Sequence, residues 1–180
     1  VGPWVHKYPH FAAPEPRIGF LQEGLRWWGR WLKDEATGVE ADPAYRAYLM
    51  DGARPARWYE SRPGRWLAEP SWPSPNVASQ TMALGAGRLG QAGAFSQTLS
   101  SPQDCGMDGG EFCAIWLGPE MPGDQRRDDA MSVCFDSGPL AQTDILGAPV
   151  LTLRLAVDKP MAQIAVRLNH VHPDGAATRI

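Results

Sequence analysis

The side chains in this sequence best placed to do chemistry are its histidines, and His6 is the first of them. It lies between Pro3 and Pro9, which favour a loop over a helix at this point. An imidazole on a loop can act as a general base, because it takes up and returns a proton near neutral pH. By residue type and spacing, His6 is a candidate general base that still needs a nucleophile.

Two groups of histidines have spacings compatible with a metal ion. His6 and His10 are four residues apart, but Pro9 disfavours the helix that would align them, and no H-E-x-x-H glutamate accompanies them. His170, His172 and Asp174 alternate at a predicted strand end and share one face, where solvated histidines are nevertheless commoner than ligands. We expect His10 to be structural, and we expect the chain to use no metal and no cofactor.

A glycine motif and three cysteines are the other features that could indicate a site. Residues 85–90 match the dinucleotide fingerprint G-x-G-x-x-G, but no buried strand precedes them and no helix follows, so we predict a turn between strands. Cys105, Cys113 and Cys134 form no C-x-x-C pair, which favours free thiols in a reducing, cytoplasmic compartment.

The amino-acid composition excludes several classes of protein. The 180 residues are 43% hydrophobic and 21% charged, which is typical of a globular protein and excludes a collagen or a disordered chain. No apolar run approaches the ~18 residues of a membrane span. The net charge of −3 gives no basic footprint for nucleic acid or for an anionic membrane. We expect neither as a partner, and the composition is compatible with a homo-oligomer.

The elements that would position these residues form two units that meet near Pro73. Residues 1–72 hold seven of the eight tryptophans. An apolar stripe at helical spacing predicts a helix over 17–33, whose aromatic face would pack against a sheet, and residues 44–50 predict a strand. Prolines 70, 73 and 75 predict an extended linker between the units.

The second unit, residues 73–180, has the two-residue period of strands. Alternating apolar residues over 150–157 and 164–168, with a turn between them, predict an antiparallel hairpin. Residues 131–135 predict a further strand. The charged run 124–129 is either a solvated loop or a segment in which Arg126 and Arg127 pair with Asp128, Asp129 or Asp136. The pattern predicts an all-β sandwich.

Several segments of the chain form an ordered set: Gly2-Pro-Trp-Val-His6, the helix 25–33, Leu84-Gly with Gly87-Arg-Leu89, the runs 122–130, 135–140 and 145–149, and Val166 to Gly175. Taken in this order, they resemble the CocE/NonD hydrolases, the group that contains cocaine esterase, α-amino acid ester hydrolases and X-prolyl dipeptidyl peptidases. Any one segment is a weak signal, and their ordered set is specific to the superfamily but not to one substrate.

The resemblance implies that residues 1–72 are the C-terminal end of an α/β-hydrolase domain and that residues 73–180 are an incomplete jelly-roll domain. It implies that His6 is the histidine of a Ser-His-Asp triad that cleaves an ester or amide bond, X-Pro dipeptides included. Because the chain order in this fold is Ser, Asp, His, we expect the nucleophile and the acid upstream of Val1. The partner would then be a small ester, amide or peptide substrate.

The alternative is a non-catalytic jelly-roll module for binding or interaction, with its tryptophans stacking on sugars. Seven of the eight tryptophans precede Pro73 and so lie outside the predicted sandwich, which favours packing over a sugar platform.

Overall fold

The computed structural model describes residues 1–115 and 118–180. Within these residues, two α-helices and three pairs of short strands are joined by long irregular segments. The helices are α1, Phe20–Lys33, and α2, Arg126–Asp129. The strands are β1, Tyr45–Met50, β2, Gly64–Glu69, β3, Leu84–Gly85, β4, Arg88–Leu89, β5, Asn169–Val171, and β6, Ala177–Arg179. Two 3₁₀ turns span Val39–Ala41 and Met107–Gly109.

The predicted helix is confirmed, but α1 begins three residues later than the apolar spacing suggests. The backbone of Glu15 is committed to hydrogen bonds with residues 60 and 62. The carbonyl of Pro16 accepts a bond from the Trp4 indole at 2.8 Å. Because these contacts fix the chain in an extended path, it turns into the helix only at Phe20.

Within the described part of the chain, the aromatic face of α1 is not packed on a sheet, contrary to the expectation from sequence. Gly29 is buried, whereas Trp27, Trp28 and Trp31 are about half exposed. The sheet formed by β1 and β2 instead covers the N-terminal segment, with the rings of Trp4 and Trp66 6.2 Å apart.

The predicted strand over 44–50 is confirmed as β1, and its partner β2 was not anticipated. The two strands are antiparallel, with Tyr45 opposite Glu69 and Met50 opposite Gly64. Ala47 is buried at the centre of β1. The pairing also orders the N-terminus, because the Tyr48 N–H donates to the carbonyl of Val1 at 2.9 Å.

The junction near Pro73 is a tight polar turn rather than an extended linker. The buried carboxylate of Glu69 accepts hydrogen bonds from the Ser74 hydroxyl and, at 2.8 Å, from the Asn76 amide. These bonds, that from Ser74 first, lower the pKa of Glu69. The segment that contains prolines 70, 73 and 75 therefore forms a turn, and the hydrogen bonds of Glu69 join its two ends.

The glycine motif forms the predicted turn between strands. Leu84 lies opposite Leu89 and Gly85 opposite Arg88 in a two-residue hairpin. Gly87 occupies the left-handed region with φ of 66°, where an L side chain would be strained. Among the described residues no helix begins directly after the glycines, so they do not form a dinucleotide site.

The predicted strand over 131–135 is wrong. The turn of α2 continues past its end, since the N–H groups of Ala130, Met131 and Ser132 donate to carbonyls three or four residues earlier. These bonds use the backbone groups that a strand would need for pairing. Residues 131–135 do contain the apolar side chains on which the prediction rested, but the preceding helical turn sets the backbone hydrogen bonds of Met131 and Ser132.

The hairpin predicted over 150–157 and 164–168 is also absent from the described structure. The alternating apolar side chains are exposed, from 40% at Leu153 to 63% at Val166, except for Leu168, which is half-buried. A two-stranded hairpin is at best marginal in water unless another layer covers its apolar face. Among the described residues no such layer is present, so alternation alone does not produce strands here.

Of the predicted all-β sandwich and the predicted end of an α/β-hydrolase domain, the described part of the structure thus shows only small antiparallel sheets. The strands form three separate two-stranded antiparallel sheets, and the described residues contain no parallel α/β-hydrolase sheet. The accessible surface is 13328 Å², against roughly 8600 Å² for a compact monomer of 19.7 kDa. Large apolar areas are therefore exposed. No helix among the residues described is long and apolar enough to cross a bilayer.

Candidate catalytic-histidine loop

The candidate base His6 lies on a loop whose backbone is held on both sides. The N–H of Val5 donates to the carbonyl of Ala13 at 2.8 Å, and Val5 is buried. The N–H of His6 itself donates to the carbonyl of Ala114 at 2.7 Å. The imidazole is exposed and, within residues 1–115 and 118–180, makes no side-chain hydrogen bond. The backbone is fixed while the ring stays free to meet a reacting group.

The loop that supplies Ala114 comes from the second unit. We call residues 111–115 and 118–120 the bracing loop. It is closed at its base by a hydrogen bond from the Glu111 N–H to the carbonyl of Glu120, at 2.9 Å. Within it, the carboxylate of Glu120 accepts a hydrogen bond from the N–H of Ile115. The second unit thus contacts the segment that carries His6.

A buried polar frame supports the base of the bracing loop. The side chain of Gln125 is fully buried and donates to the carbonyls of Asp108 and Gly123 at 2.6 and 2.9 Å. Asp128 is also fully buried, and its carboxylate accepts from the N–H groups of Gly106 and Asp108 at 2.9 and 3.1 Å. Buried polar groups need such partners, and here they tie the 106–108 turn to α2.

Arg167 supplies the positive charge that compensates the carboxylates of this frame. It lies 3.1 Å from the carboxylate of Asp128 and 2.9 Å from that of Asp129. Burial raises the pKa of Asp129, and the charge of Arg167 opposes that rise. The expected pairings within the run 124–129 are therefore wrong for these acids: Arg126 pairs with Asp124, and Arg127 with Asp104.

His170 and His172 lie together, with ring centroids 4.3 Å apart. The Nε2 of His172 is 3.1 Å from the carbonyl of Ala53 and 2.9 Å from the Thr178 hydroxyl. Asp174 is engaged in a two-pronged ion pair with Arg54. The residues of the H-x-H-x-D pattern thus attach the β5–β6 hairpin to residues 53–54 of the first unit. In the described part of the chain, no group of three or more His, Cys, Asp or Glu side chains could hold a metal ion.

His10 packs among aromatic rings, as expected for a structural residue. Its ring lies 4.7 Å from that of Phe11 and is stacked 6.2 Å from Phe20 and 6.1 Å from Tyr8.

A shallow cavity lies between α1 and the first 3₁₀ turn. It is about 470 Å³ in volume, and Phe20, Trp27 and Trp28 form its aromatic wall. The hydrogen bond from Arg26 lowers the pKa of Asp42 at its edge. The acids there are already paired with arginines, and the cavity contains none of the sequence-predicted site residues.

All three cysteines are free thiols. Burial raises the pKa of the Cys134 thiol, and the charges of Asp129 and Asp136 raise it further. A raised pKa leaves less thiolate at neutral pH, which is opposite to what a cysteine nucleophile needs.

Sequence reasoning did not single out Glu120, Gln125 or the role of Asp128. The only signal was the charged run 124–129, which pointed to the right segment but to the wrong partners. The bond from His6 to Ala114 carries no sequence signal, because it joins two backbone groups.

A family model described as the X-Pro dipeptidyl-peptidase C-terminal non-catalytic domain matches residues 37–180. The match includes all of the strands and α2, and it begins between α1 and β1. His6 and α1 precede it. No curated protein and no solved structure gives a significant match.

Proposed function

Because the chain belongs to the X-Pro dipeptidyl-peptidase C-terminal non-catalytic domain family, we propose that it is the C-terminal part of a serine hydrolase of the CocE/NonD type. That enzyme cleaves ester or amide bonds, X-Pro dipeptidyl bonds among them, by Ser-His-Asp acyl transfer. In this proposal, residues 1–72 end the α/β-hydrolase domain and residues 73–180 are an incomplete jelly roll, although the family match itself begins earlier, at residue 37.

The observation that carries the proposal is the environment of His6. Its imidazole is exposed on a loop whose backbone is held at Val5 and at His6 itself. A triad histidine needs that combination, since the ring must reach a serine oxygen at ~2.6–3.2 Å and must not drift from it. A catalytic group would not be expected within a non-catalytic domain, and His6 lies before the matched region.

In the proposed reaction, the ring of His6 takes the proton of a serine hydroxyl as that oxygen attacks the carbonyl carbon of the substrate. His6 then returns the proton to the departing alcohol or amine. Water attacks the acyl-enzyme in the second half, with His6 again as the base. The serine and the aspartate belong to the part of the enzyme before Val1.

The test is hydrolysis by the full-length enzyme with His6→Ala, using a short acyl ester and an X-Pro dipeptide amide as substrates. Loss of a triad histidine removes most of kcat, on the order of 10⁴-fold or more. His10→Ala is the matched control, and we expect it to retain activity. Undiminished hydrolysis by the His6 variant at neutral pH contradicts the proposal.

A second function is favoured by the match of residues 37–180 to a family of non-catalytic domains. In this alternative, the chain is a binding or interaction module with no share in catalysis. It predicts that residues 73–180 alone bind a glycan or a protein, and that the full-length enzyme keeps its activity without His6. Glycan binding by residues 73–180, together with an active His6 variant, would favour this function over the hydrolase.

A further inference from the structure

The backbone contact to His6 comes from one peptide unit of the bracing loop. The carbonyl of the peptide that joins Ala114 to Ile115 accepts the His6 N–H at 2.7 Å. The N–H of the same peptide unit donates to the carboxylate of Glu120. Because a peptide unit is planar, fixing its N–H fixes the direction of its carbonyl as well.

The bond to Glu120 is of the strong kind. A carboxylate that accepts from a backbone N–H forms a charge-assisted hydrogen bond, and it polarises the peptide so that the opposite carbonyl becomes a better acceptor. The effect of Glu120 therefore reaches His6 through a single rigid group.

Glu120 is itself held in place by its backbone. Its N–H donates to the carbonyl of Gly118, and its carbonyl accepts from Glu111, both at 2.9 Å. The next residue, Met121, donates to the carbonyl of Arg57 at 2.9 Å. Gly110 has φ of 78°, and a Cβ there would lie 2.7 Å from the carbonyl oxygen of Glu120. The carboxylate thus projects from a fixed point into the bracing loop.

We propose that Glu120 is a positioning residue for His6, acting through the peptide unit between Ala114 and Ile115. The inference depends on the proposed function for its catalytic consequence, but the contact itself can be tested without it. In this proposal, a loop within the region matched by the non-catalytic domain family fixes the position of His6, the candidate base.

The first test measures amide hydrogen exchange at His6 in the 180-residue chain. Glu120→Ala removes the acceptor, and Glu120→Asp keeps the charge but shortens the reach. We expect both to speed exchange at His6 by roughly two- to tenfold, the range for one net hydrogen bond. We expect Glu120→Gln, whose amide oxygen still accepts but carries no charge, to speed exchange less than Glu120→Ala does. Glu111→Ala, on the same loop, should stay near the wild type.

The amides of β1 serve as the internal reference for folding, and they must stay protected in every variant compared. If Glu120→Ala also exposes β1, the Glu120→Asp variant decides the question. Unchanged exchange at His6 in a variant with β1 intact overturns the proposal.

The second test uses the full-length enzyme. We expect Glu120→Ala and Glu120→Asp to lower kcat by roughly tenfold or more while KM changes less than twofold, because a misplaced base impairs chemistry rather than substrate binding. The kcat of Glu120→Gln should lie closer to that of the wild type than the kcat of Glu120→Ala does. An unchanged kcat in an enzyme that His6→Ala inactivates overturns the positioning role alone. An enzyme that stays active with His6→Ala contradicts the proposed function, whatever the exchange data show.

Discussion

The guanidinium of Arg167 lies 3.1 Å from the fully buried carboxylate of Asp128. The same cation reaches Asp129 at 2.9 Å, so it serves two adjacent acids. Arg167 is itself only 17% exposed. Two acids and one cation buried together hold α2 against the C-terminal segment.

We predict that Arg167→Met lowers the free energy of unfolding by about 3–5 kcal/mol, because it leaves Asp128 charged, buried and without its cation. Urea denaturation measures the change. Arg127→Met is the control, since both side chains of its pair with Asp104 are more than half exposed and such a pair is worth about 0–1 kcal/mol. Equal losses in the two variants would contradict this account.

The ion pair of Arg54 with Asp174 predicts a pH dependence. The hydrogen bond from Arg54 lowers the pKa of Asp174, so the carboxylate is more easily ionised in the folded chain than in the unfolded one. The stability it contributes is present above the unfolded pKa of ~3.9 and is lost as the pH falls through the folded pKa.

We therefore expect the β5–β6 hairpin to loosen as the pH falls below ~4, and we expect Asp174→Asn to remove this acid-dependent change. The measurement is the protection of the Thr178 amide between pH 5 and 2.5. Asp158→Asn, at a 90% exposed carboxylate, is the control. An acid response that survives in Asp174→Asn assigns the effect to another group.

Two glycines predict opposite effects of the same substitution. Gly24 lies within α1 with open space around its Cβ position, so Gly24→Ala should stabilise the helix by ~0.5–1 kcal/mol. Gly38 also has open space, but its φ is 74°. We expect Gly38→Ala to destabilise the chain by about 1–2 kcal/mol through backbone strain. Thermal unfolding compares them, and a change of the same sign in both would be inconsistent with the backbone argument.

The isolated 180-residue chain should have no hydrolase activity. Among the described residues, no hydroxyl or thiol is hydrogen-bonded to the ring of His6, so the base has no nucleophile to activate. We expect ester turnover by this chain to equal that of the same chain with His6→Ala. Turnover that is lost with His6→Ala would show that a nucleophile lies within residues 1–180.

The sequence by itself determined the features whose cause lies within a few residues. The spacing of the apolar residues predicted α1, residues 44–50 predicted β1, and the glycines of 85–90 predicted the turn between β3 and β4. The catalytic role of His6 and the boundary at 72 and 73 stay predictions from the sequence.

Only the tertiary structure decided the features that depend on residues far apart in the chain. It paired β1 with β2, delayed the start of α1 through the contacts of Glu15, and made Met131 and Ser132 follow the turn of α2. It left the alternating residues 150–168 without strands, because a face needs a covering layer as well as a pattern. It also brought the carbonyl of Ala114 to the N–H of His6, and backbone groups that are identical at every position carry no sequence signal for such a bond.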